Sequence, residues 1–488
     1  MVDSWLRSRE GTALDAEGAD GAASPGAGDP WEQLEREERA ALRRVAGLAT
    51  ELEDVTEVEY RRLRLERVVL VGVYGGAETL EDAEVSLREL AALAETAGSE
   101  VLDALLQRRA HPDPATYLGS GKAKELTALV AGLEADTVVA DAELAPSQRR
   151  ALEDVVGVKV VDRTAVILDI FASHAKSKEG KAQVELAQLE YLLPRLRGWG
   201  DSMSRQAGGR VAGGEGIGSR GPGETKIELD RRRIRNRMAK LRRELGTMEP
   251  ARAARRAERE RTGTPSAAIV GYTNAGKSSL LNALTGADVL VDNQLFATLD
   301  PTVRAVKTPE GRAYTLTDTV GFVRRLPHQL VEAFASTLEE SLGADLLIHV
   351  VDASHPDPEG QIAAVREVLR EVRGDAASAP ELLVFTKSDA VSPARLEALL
   401  AGHPGAAGVS ARRGSGLEEL QSAIEAALPR PPVEVDVVVP FSRGDLVARA
   451  HQTGEVLKET YEAAGTHLRA RVSEKLASEL TRAAGDGD

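Results

Sequence analysis

The stretch Ser266–Gly286, SAAIVGYTNAGKSSLLNALTG, constrains this chain more than any other. An apolar run, then glycine, four residues and Gly-Lys-Ser, then a helical pattern, is the strand, loop and helix of a phosphate-binding loop. Gly271 and Gly276 let backbone N–H groups converge on phosphate oxygens. The turn leads straight into a helix N-terminus, where aligned peptide dipoles favour anions. Such a loop needs a mostly parallel sheet behind it. It therefore predicts a doubly wound α/β domain with its ligand at the carboxyl ends of the strands.

The loop assigns Gly271, Tyr272, Thr273, Asn274, Ala275, Gly276, Lys277 and Ser278 to a nucleotide. Lys277 supplies a point charge to the β- and γ-phosphates, and the Ser278 hydroxyl suits Mg2+. Downstream, LFATLDPTVR places Phe296, Ala297, Thr298, Leu299 and Asp300 in a polar loop whose Thr298 hydroxyl can reach the same Mg2+. LTDTVGF ends a strand with Asp318, Thr319, Val320 and Gly321. Asp318 suits a magnesium-bound water, and Gly321 offers a backbone N–H to the γ-phosphate. Lys277, Thr298 and Gly321 are the candidate catalytic groups, with Ser278 and Thr298 as metal ligands.

LLVFTKSD then ends another strand with Thr386, Lys387, Ser388 and Asp389. A carboxylate there accepts guanine N1–H and N2–H, which adenine cannot offer, while the lysine stem covers the base. Ser410, Ala411 and Arg412 in GVSARRGSGL supply the last base contact. The five pieces in order predict a Ras-like domain that binds GTP and GDP. Two positions depart from that pattern. Thr386 replaces the usual asparagine, keeping a hydroxyl near guanine N7 and losing an amide. Phe322 stands where a small GTPase carries a water-orienting glutamine, so unassisted hydrolysis is expected to be slow. Asn274 is a candidate ligand for K+ beside the phosphates. Upstream, YLGSGKAKEL imitates a second phosphate loop but has Ala123 where Ser or Thr is needed.

At 488 residues the chain exceeds one hydrophobic core. Residues 1–58, with GADGAASPGAGDP, predict a disordered or helical extension. Residues 59–175 alternate β-branched runs with helical periodicity, which predicts a small α/β domain with a largely parallel sheet. Residues 176–261 predict an antiparallel helical hairpin. Leu186, Leu189, Leu193 and Leu196 form one apolar seam, and Ile227, Ile234, Met238, Leu241, Leu245 and Met248 form the other. A helix from about Glu224 to Met248 would hold the glycine-rich Gly208–Gly223 loop ~35 Å from its base. Residues 262–430 are the nucleotide domain, and residues 431–488 read strand, helix, strand, strand, a small α+β domain.

Charge is distributed unevenly. The chain carries a net charge of -15, yet Lys176–Arg243 holds 17 Lys and Arg against 8 Asp and Glu, a local balance of +9. The plain reading of a charge run is a solvated helix face. Here the one-signed excess beside so much glycine favours a phosphate-rich partner, with Arg205, Arg210, Arg220, Lys226, Arg231, Arg232, Arg233, Arg235 and Arg237 as candidate RNA contacts. Only 3% of residues are aromatic, which argues against base stacking as the mode of contact. There is no cysteine, which removes disulfides and thiolate metal sites, and the eight histidines show no metal-ligand spacing. No apolar run approaches the ~20 residues of a membrane helix, and the chain is expected in the cytoplasm.

PDPATYLGSGKAKEL, DAELAPSQRRALED, DRTAVILDIFASHAKSKEGKAQVELAQLEYLLPRL, GPGETKIELDRRR and GYTNAGKSSLLNALTG occur in that order, and with them the chain resembles HflX-type GTPases from about Arg67 onward. The resemblance implies a GTP-hydrolysing enzyme, slow alone and stimulated by ribosomes, that binds the large ribosomal subunit and its rRNA. It implies that such a protein splits or rescues stalled ribosomes under stress, and is a monomer off the ribosome. A ribosome-assembly GTPase and a GTP-dependent protein-binding switch remain open as alternatives. The lengthened glycine tip AGGRVAGGE departs from the family pattern.

Overall fold

The computed structural model describes residues 67–76, 78–196, 222–262, 264–286, 295–299, 301–309, 311–325, 327, 330, 343–373 and 379–485. The 1–58 extension and the tip residues Gly208–Gly221 lie outside them. The chain divides into two compact units, one comprising residues up to 173 with 189–236, the other 174–188 with 237–488.

In the first unit, β1 (Arg67–Tyr74), β2 (Glu100–Arg108), β3 (Thr137–Ala140) and β4 (Lys159–Asp162) form an all-parallel sheet of order β2-β1-β3-β4. Val68, Val69, Leu70 and Val71 are all at most 1% exposed. A continuous apolar run of this kind belongs to a strand covered on both faces. The helices between them are α1 (Leu80–Thr96), α2 (Ser120–Leu133) and α3 (Pro146–Val156), and α4 (Arg163–His174) follows β4. α1 starts on a capping box: Asp82 N–H donates to Thr79 Oγ1 at 3.1 Å, and Thr79 N–H donates to Asp82 Oδ2 at 3.0 Å. Leu118, Leu126, Val138, Leu152 and Val160 pack together in the core under α2 and α3. Gly121 and Lys122, the residues that imitate a phosphate loop, sit in the first turn of α2.

The carboxyl end of β4 carries a buried polar cluster. Asp162 is fully buried and accepts from Tyr191 Oη (2.7 Å), Arg195 Nη2 (3.2 Å), Ala165 N–H (3.0 Å) and Leu144 N–H (3.1 Å). The Arg195 guanidinium also stacks 3.5 Å from the centre of the Tyr191 ring. Burial, followed by the Asp162 charge, pushes the Tyr191 phenol well above its ordinary pKa. The same unit buries Arg163 between Asp141, at 2.8 Å, and Glu89.

Tyr191 and Arg195 belong to α5 (Lys178–Arg195), and α6 (Pro222–Thr262) follows. The leucine seam of α5 is buried at Leu186 and Leu189, but Leu193 and Leu196 are only half-buried. Tyr191 and Arg195 occupy the interior there because Asp162 draws them in. On α6, Ile234, Met238 and Leu241 are buried, Leu245 and Met248 are half-buried, and the side chain of Ile227 lies outside the described residues. α6 runs past Met248 and through Pro250 for 41 residues, because the Ala-, Glu- and Arg-rich segment after the proline consists of strong helix formers.

The second unit holds a six-stranded sheet of order β10-β9-β8-β5-β7-β6. Its strands are β5 (Ser266–Gly271), β6 (Thr302–Lys307), β7 (Ala313–Asp318), β8 (Leu346–Asp352), β9 (Glu381–Thr386) and β10 (Ala407–Gly408). All pairings are parallel except β6 with β7. The helices are α7 (Lys277–Thr285), α8 (Pro358–Arg373), α9 (Pro393–Gly402) and α10 (Leu417–Ala427). β5 lies between β7 and β8, so the phosphate loop, the 318–321 segment and Asp352 leave the sheet side by side. Beyond it, β11 (Val433–Val439), α11 (Gly444–Thr453), β12 (Glu455–Glu462) and β13 (Gly465–Val472) give an antiparallel sheet of order β11-β13-β12. A further helix, α12 (Glu474–Gly485), adds Leu476 and Leu480 to the core of Val435, Leu446 and Leu468. The strand, helix, strand, strand reading lacks this helix.

Asp162→Ala leaves the Arg195 guanidinium and Tyr191 hydroxyl buried without their carboxylate. A loss on the order of 3 kcal/mol is expected, read as an earlier urea transition of this unit, with Asp162→Asn losing less because it still accepts hydrogen bonds.

Candidate functional site

The phosphate loop takes its shape from three left-handed positions. Gly271 has φ 155°, and a Cβ on it would lie 2.3 Å from the Val350 carbonyl oxygen. Asn274 follows at φ 58° and Gly276 at φ 89°. Glycine is required at the first by contact and at the last by backbone conformation. Asparagine tolerates the second.

Lys277 opens α7 and is 6% exposed. Its Nζ donates to the Tyr272 carbonyl at 2.8 Å. Burial lowers its pKa to about 8, and the Asp318 carboxylate opposes that shift. Asp318 is itself raised from the ordinary carboxylate range by burial, against the pull of Lys277 and of two hydroxyl donors. Those donors are Ser278 Oγ, 2.7 Å from Asp318 Oδ2, and Thr298 Oγ1, 3.1 Å from it. The two hydroxyls lie 2.9 Å apart. Three segments distant in sequence thus bring their oxygens to one point. The second oxygen, Asp318 Oδ1, is buried with no hydrogen-bond partner among the described residues. A compact all-oxygen set with an orphaned carboxylate oxygen fits a hard divalent cation such as Mg2+.

The segment after β7 is stitched to the loop. Phe322 N–H donates to Gly271 O at 3.1 Å, and Thr273 N–H donates to Phe322 O at 2.7 Å. The Tyr272 hydroxyl accepts from Arg324 N–H at 2.5 Å. A Cβ on Gly321 would meet Thr273 Cγ2 at 2.7 Å and Lys277 Nζ at 2.9 Å, so this position is closed to any side chain. Thr319 Oγ1 donates to Ile269 O at 2.8 Å, and Val320 is buried. In the 296–300 segment, Phe296 and Leu299 are 2% exposed, Ala297 is exposed, and Asp300 lies outside the described residues.

At the other end of the site, Ser410 Oγ donates to Asp389 Oδ1 at 2.7 Å and holds that carboxyl below its ordinary range. Lys387, at φ 53°, places its Nζ 2.7 Å from Asp352 Oδ2. Ser388 N–H donates to Val409 O at 3.1 Å, Ala411 is half-buried and Arg412 exposed. Thr386 is 2% exposed, and its hydroxyl lies 2.6 Å from Ala275 O and 3.1 Å from Val351 O. The hydroxyl expected near guanine N7 therefore braces the phosphate loop. Sequence reasoning missed Asp352 and the reach of the Tyr272 phenol. The first had a signal, an apolar strand run ending in aspartate; the second had none.

Of the candidate RNA contacts, Arg205, Arg210 and Arg220 lie outside the described residues, as does the side chain of Lys226. Arg232, Arg233 and Arg235 are exposed on α6, and Arg231 is half-buried. Arg237 forms a two-pronged pair with Glu185 at 2.5 and 2.7 Å, which raises its pKa and holds it to α5. No described helix is long and apolar enough to cross a membrane.

The chain is similar to known proteins over most of its length. Residues 84–172 match the family described as GTP-binding GTPase N-terminal, and residues 174–259 match the GTP-binding GTPase middle region. Residues 266–387 match a family described as 50S ribosome-binding GTPase. The chain is 46% identical to the GTPase HflX of Caldanaerobacter subterraneus subsp. tengcongensis over 84% of this chain and 91% of that one. It is 44% identical to the GTPase HflX of Lacrimispora saccharolytica over 88% of this chain and 98% of that one. A GTP-binding protein of Sulfolobus solfataricus, solved with GDP, is 26% identical over 74% of this chain and 98% of that one, with a TM-score of 0.38.

Lys277 gives the site a pH signature. Its folded pKa of about 8 lies below the ordinary 10.5, so between those values the unfolded chain binds the extra proton and stability rises with pH. Relative to Lys277→Met, the parent is expected to gain about 2–3 kcal/mol in urea unfolding between pH 7 and pH 10.

Proposed function

The chain belongs to the HflX family of GTPases and hydrolyses GTP, and from that premise we propose that it works on the large ribosomal subunit and its rRNA, splitting or rescuing stalled ribosomes under stress. The observation that carries this reading is the exposed arginine run Arg232, Arg233 and Arg235 on a 41-residue helix of a chain whose net charge is -15. An acidic chain avoids random RNA, while a local basic arm gains affinity by releasing counterions where the shape of a particular RNA admits it. The enzyme is then a monomer in the cytoplasm until it meets the subunit, and slow until ribosome contacts complete its site.

In the nucleotide site, backbone N–H groups of residues 271–278 cradle the phosphates. The Lys277 ammonium leaves the Tyr272 carbonyl for the β- and γ-phosphates, whose negative charge restores its ordinary basicity. Gly321 N–H meets the γ-phosphate. Ser278 and Thr298 would hold Mg2+, Asp318 would order a water beside it, and the ion would supply neutralisation of phosphate charge. Asn274 offers an amide oxygen for K+ beside them. Asp389 accepts from guanine N1–H and N2–H, with the Lys387 stem held over the base by Asp352 and Ser410 closing the far side. Asp389→Asn replaces an acceptor by a donor, so GTP affinity is expected to fall at least about 100-fold and xanthosine triphosphate affinity to rise, measured by equilibrium binding.

The ribosome reading is tested by light scattering of purified ribosomes mixed with GTP and either the parent chain or a variant lacking Gly208–Gly223. The parent is expected to dissociate the subunits. The shortened chain is expected to fail while keeping its GTP affinity and a salt-sensitive attachment to large subunits through Arg232, Arg233 and Arg235. Full dissociation by the shortened chain would make the glycine tip a plain linker. Sedimentation with immature particles alone would favour an assembly role.

A further inference from the structure

A buried hydroxyl with no partner costs about 1–3 kcal/mol, and the phosphate loop contains one. Thr273 is 6% exposed, and its Oγ1 is buried without a hydrogen-bond partner among the described residues. Its backbone N–H is already engaged with Phe322 O at 2.7 Å, which fixes the residue against the segment after β7. A Cβ on Gly321 would come within 2.7 Å of Thr273 Cγ2, 2.9 Å of Thr273 Cα and 2.9 Å of Lys277 Nζ. The Thr273 methyl carbon, the Lys277 ammonium and the Gly321 backbone therefore share one small space, and the unpartnered hydroxyl is carried on the same Cβ as that methyl.

Phe322 sharpens the meaning of that space. It follows Gly321, is 2% exposed, and has both its N–H and its carbonyl bonded to the phosphate loop. Its ring has no polar atom with which to hold a water, and its peptide groups are occupied. A threonine hydroxyl, with one proton to give and two lone pairs, can donate to one oxygen and accept from another at once. We propose that the Thr273 hydroxyl holds the water that attacks GTP, donating to a γ-phosphate oxygen while accepting a hydrogen bond from that water. The proposal rests on the reading that the γ-phosphate lies against Gly321 and Lys277.

In the step, the water oxygen bonds to the γ-phosphorus as the bond from that phosphorus to the β–γ bridging oxygen breaks. The bridging oxygen keeps the electron pair and leaves as a terminal β-oxygen of GDP. A water proton passes to an oxygen of the departing phosphate, and the threonine neither gains nor loses a proton overall. Orienting the nucleophile in this way is worth roughly 10- to 100-fold in rate.

The test is single-turnover hydrolysis by the full chain with excess Mg2+, alongside equilibrium binding of GDP and a non-hydrolysable GTP analogue. Thr273→Val removes the hydroxyl and keeps the shape; Thr273→Ser keeps the hydroxyl and removes the methyl group. Thr273→Val is expected to lose roughly 10- to 100-fold in the hydrolysis rate measured at saturating GTP, with GDP affinity within about twofold of the parent and analogue affinity lowered by the one lost hydrogen bond, no more than about tenfold, and Thr273→Ser to recover most of the rate. Parental hydrolysis by Thr273→Val would overturn the proposal and leave the nucleotide site standing. So would a serine variant as slow as the valine one, or a valine variant whose loss lies in affinity alone. Failure of Lys277→Ala to weaken binding of the GTP analogue would instead remove the phosphate placement on which the proposal rests.

Discussion

Two hydrogen bonds, from Phe322 N–H to Gly271 O and from Thr273 N–H to Phe322 O, set the geometry on which the rest of the nucleotide site depends. They lay the segment after β7 alongside the phosphate loop at backbone distance. That closeness explains why residue 321 has no side chain, why Lys277 is buried and why its ammonium is less basic than usual. It also explains how oxygens from Ser278, Thr298 and Asp318 come within 3.1 Å of one another without any long side chain to bridge them. A sheet in which β5 separates β7 from β8 is the simplest way to deliver these segments together, built from the apolar runs of β5 and β8 and the buried Tyr314 and Leu316 of β7.

The parts of this arrangement legible in the sequence are those that a backbone enforces. Gly271 and Gly276 must be glycine for contact or conformation, and the strand and helix around them have strong periodicity. Asp389 follows an apolar strand run and finds Ser410 at the end of the next. What stayed hidden depends on side chains choosing among several partners in three dimensions. Thr386 could face a base or the loop, and only the packed structure shows Ala275 O at 2.6 Å. Arg237 reads as one more charge in a basic run, yet Glu185, 52 residues earlier, takes both prongs of its guanidinium. Asp162, Tyr191 and Arg195 carry no local pattern at all, and their cluster overrides the leucine periodicity of α5.

The charges divide along similar lines. In the first unit two buried arginines are matched closely, Arg163 by Asp141 and Arg195 by Asp162, because an unmatched ion in the interior is costly. Exposed ones on α6 are arranged by sign more than by partner, and among the described residues Arg233 has only a 3.7 Å contact with Asp230 one turn away. Pairs of that kind contribute little to stability and leave the surface potential positive. The protein thus uses arginine in two unrelated ways, as an internal fastener and as an external field.

The six-stranded sheet ends in two different manners, and this bears on how the protein survives at high concentration. An open strand edge is a template for another chain's strand, the first contact in many routes to aggregates. At one side β10 is two residues long, too short to template anything. At the other, β6 is a full strand with Val303 exposed in its middle, and Arg304 and Lys307 stand exposed beside it. A second copy approaching edge to edge would bring like charges together. Among the described residues no strand pairs with the outer side of β6, and its exposed charges oppose recruitment of a second copy there.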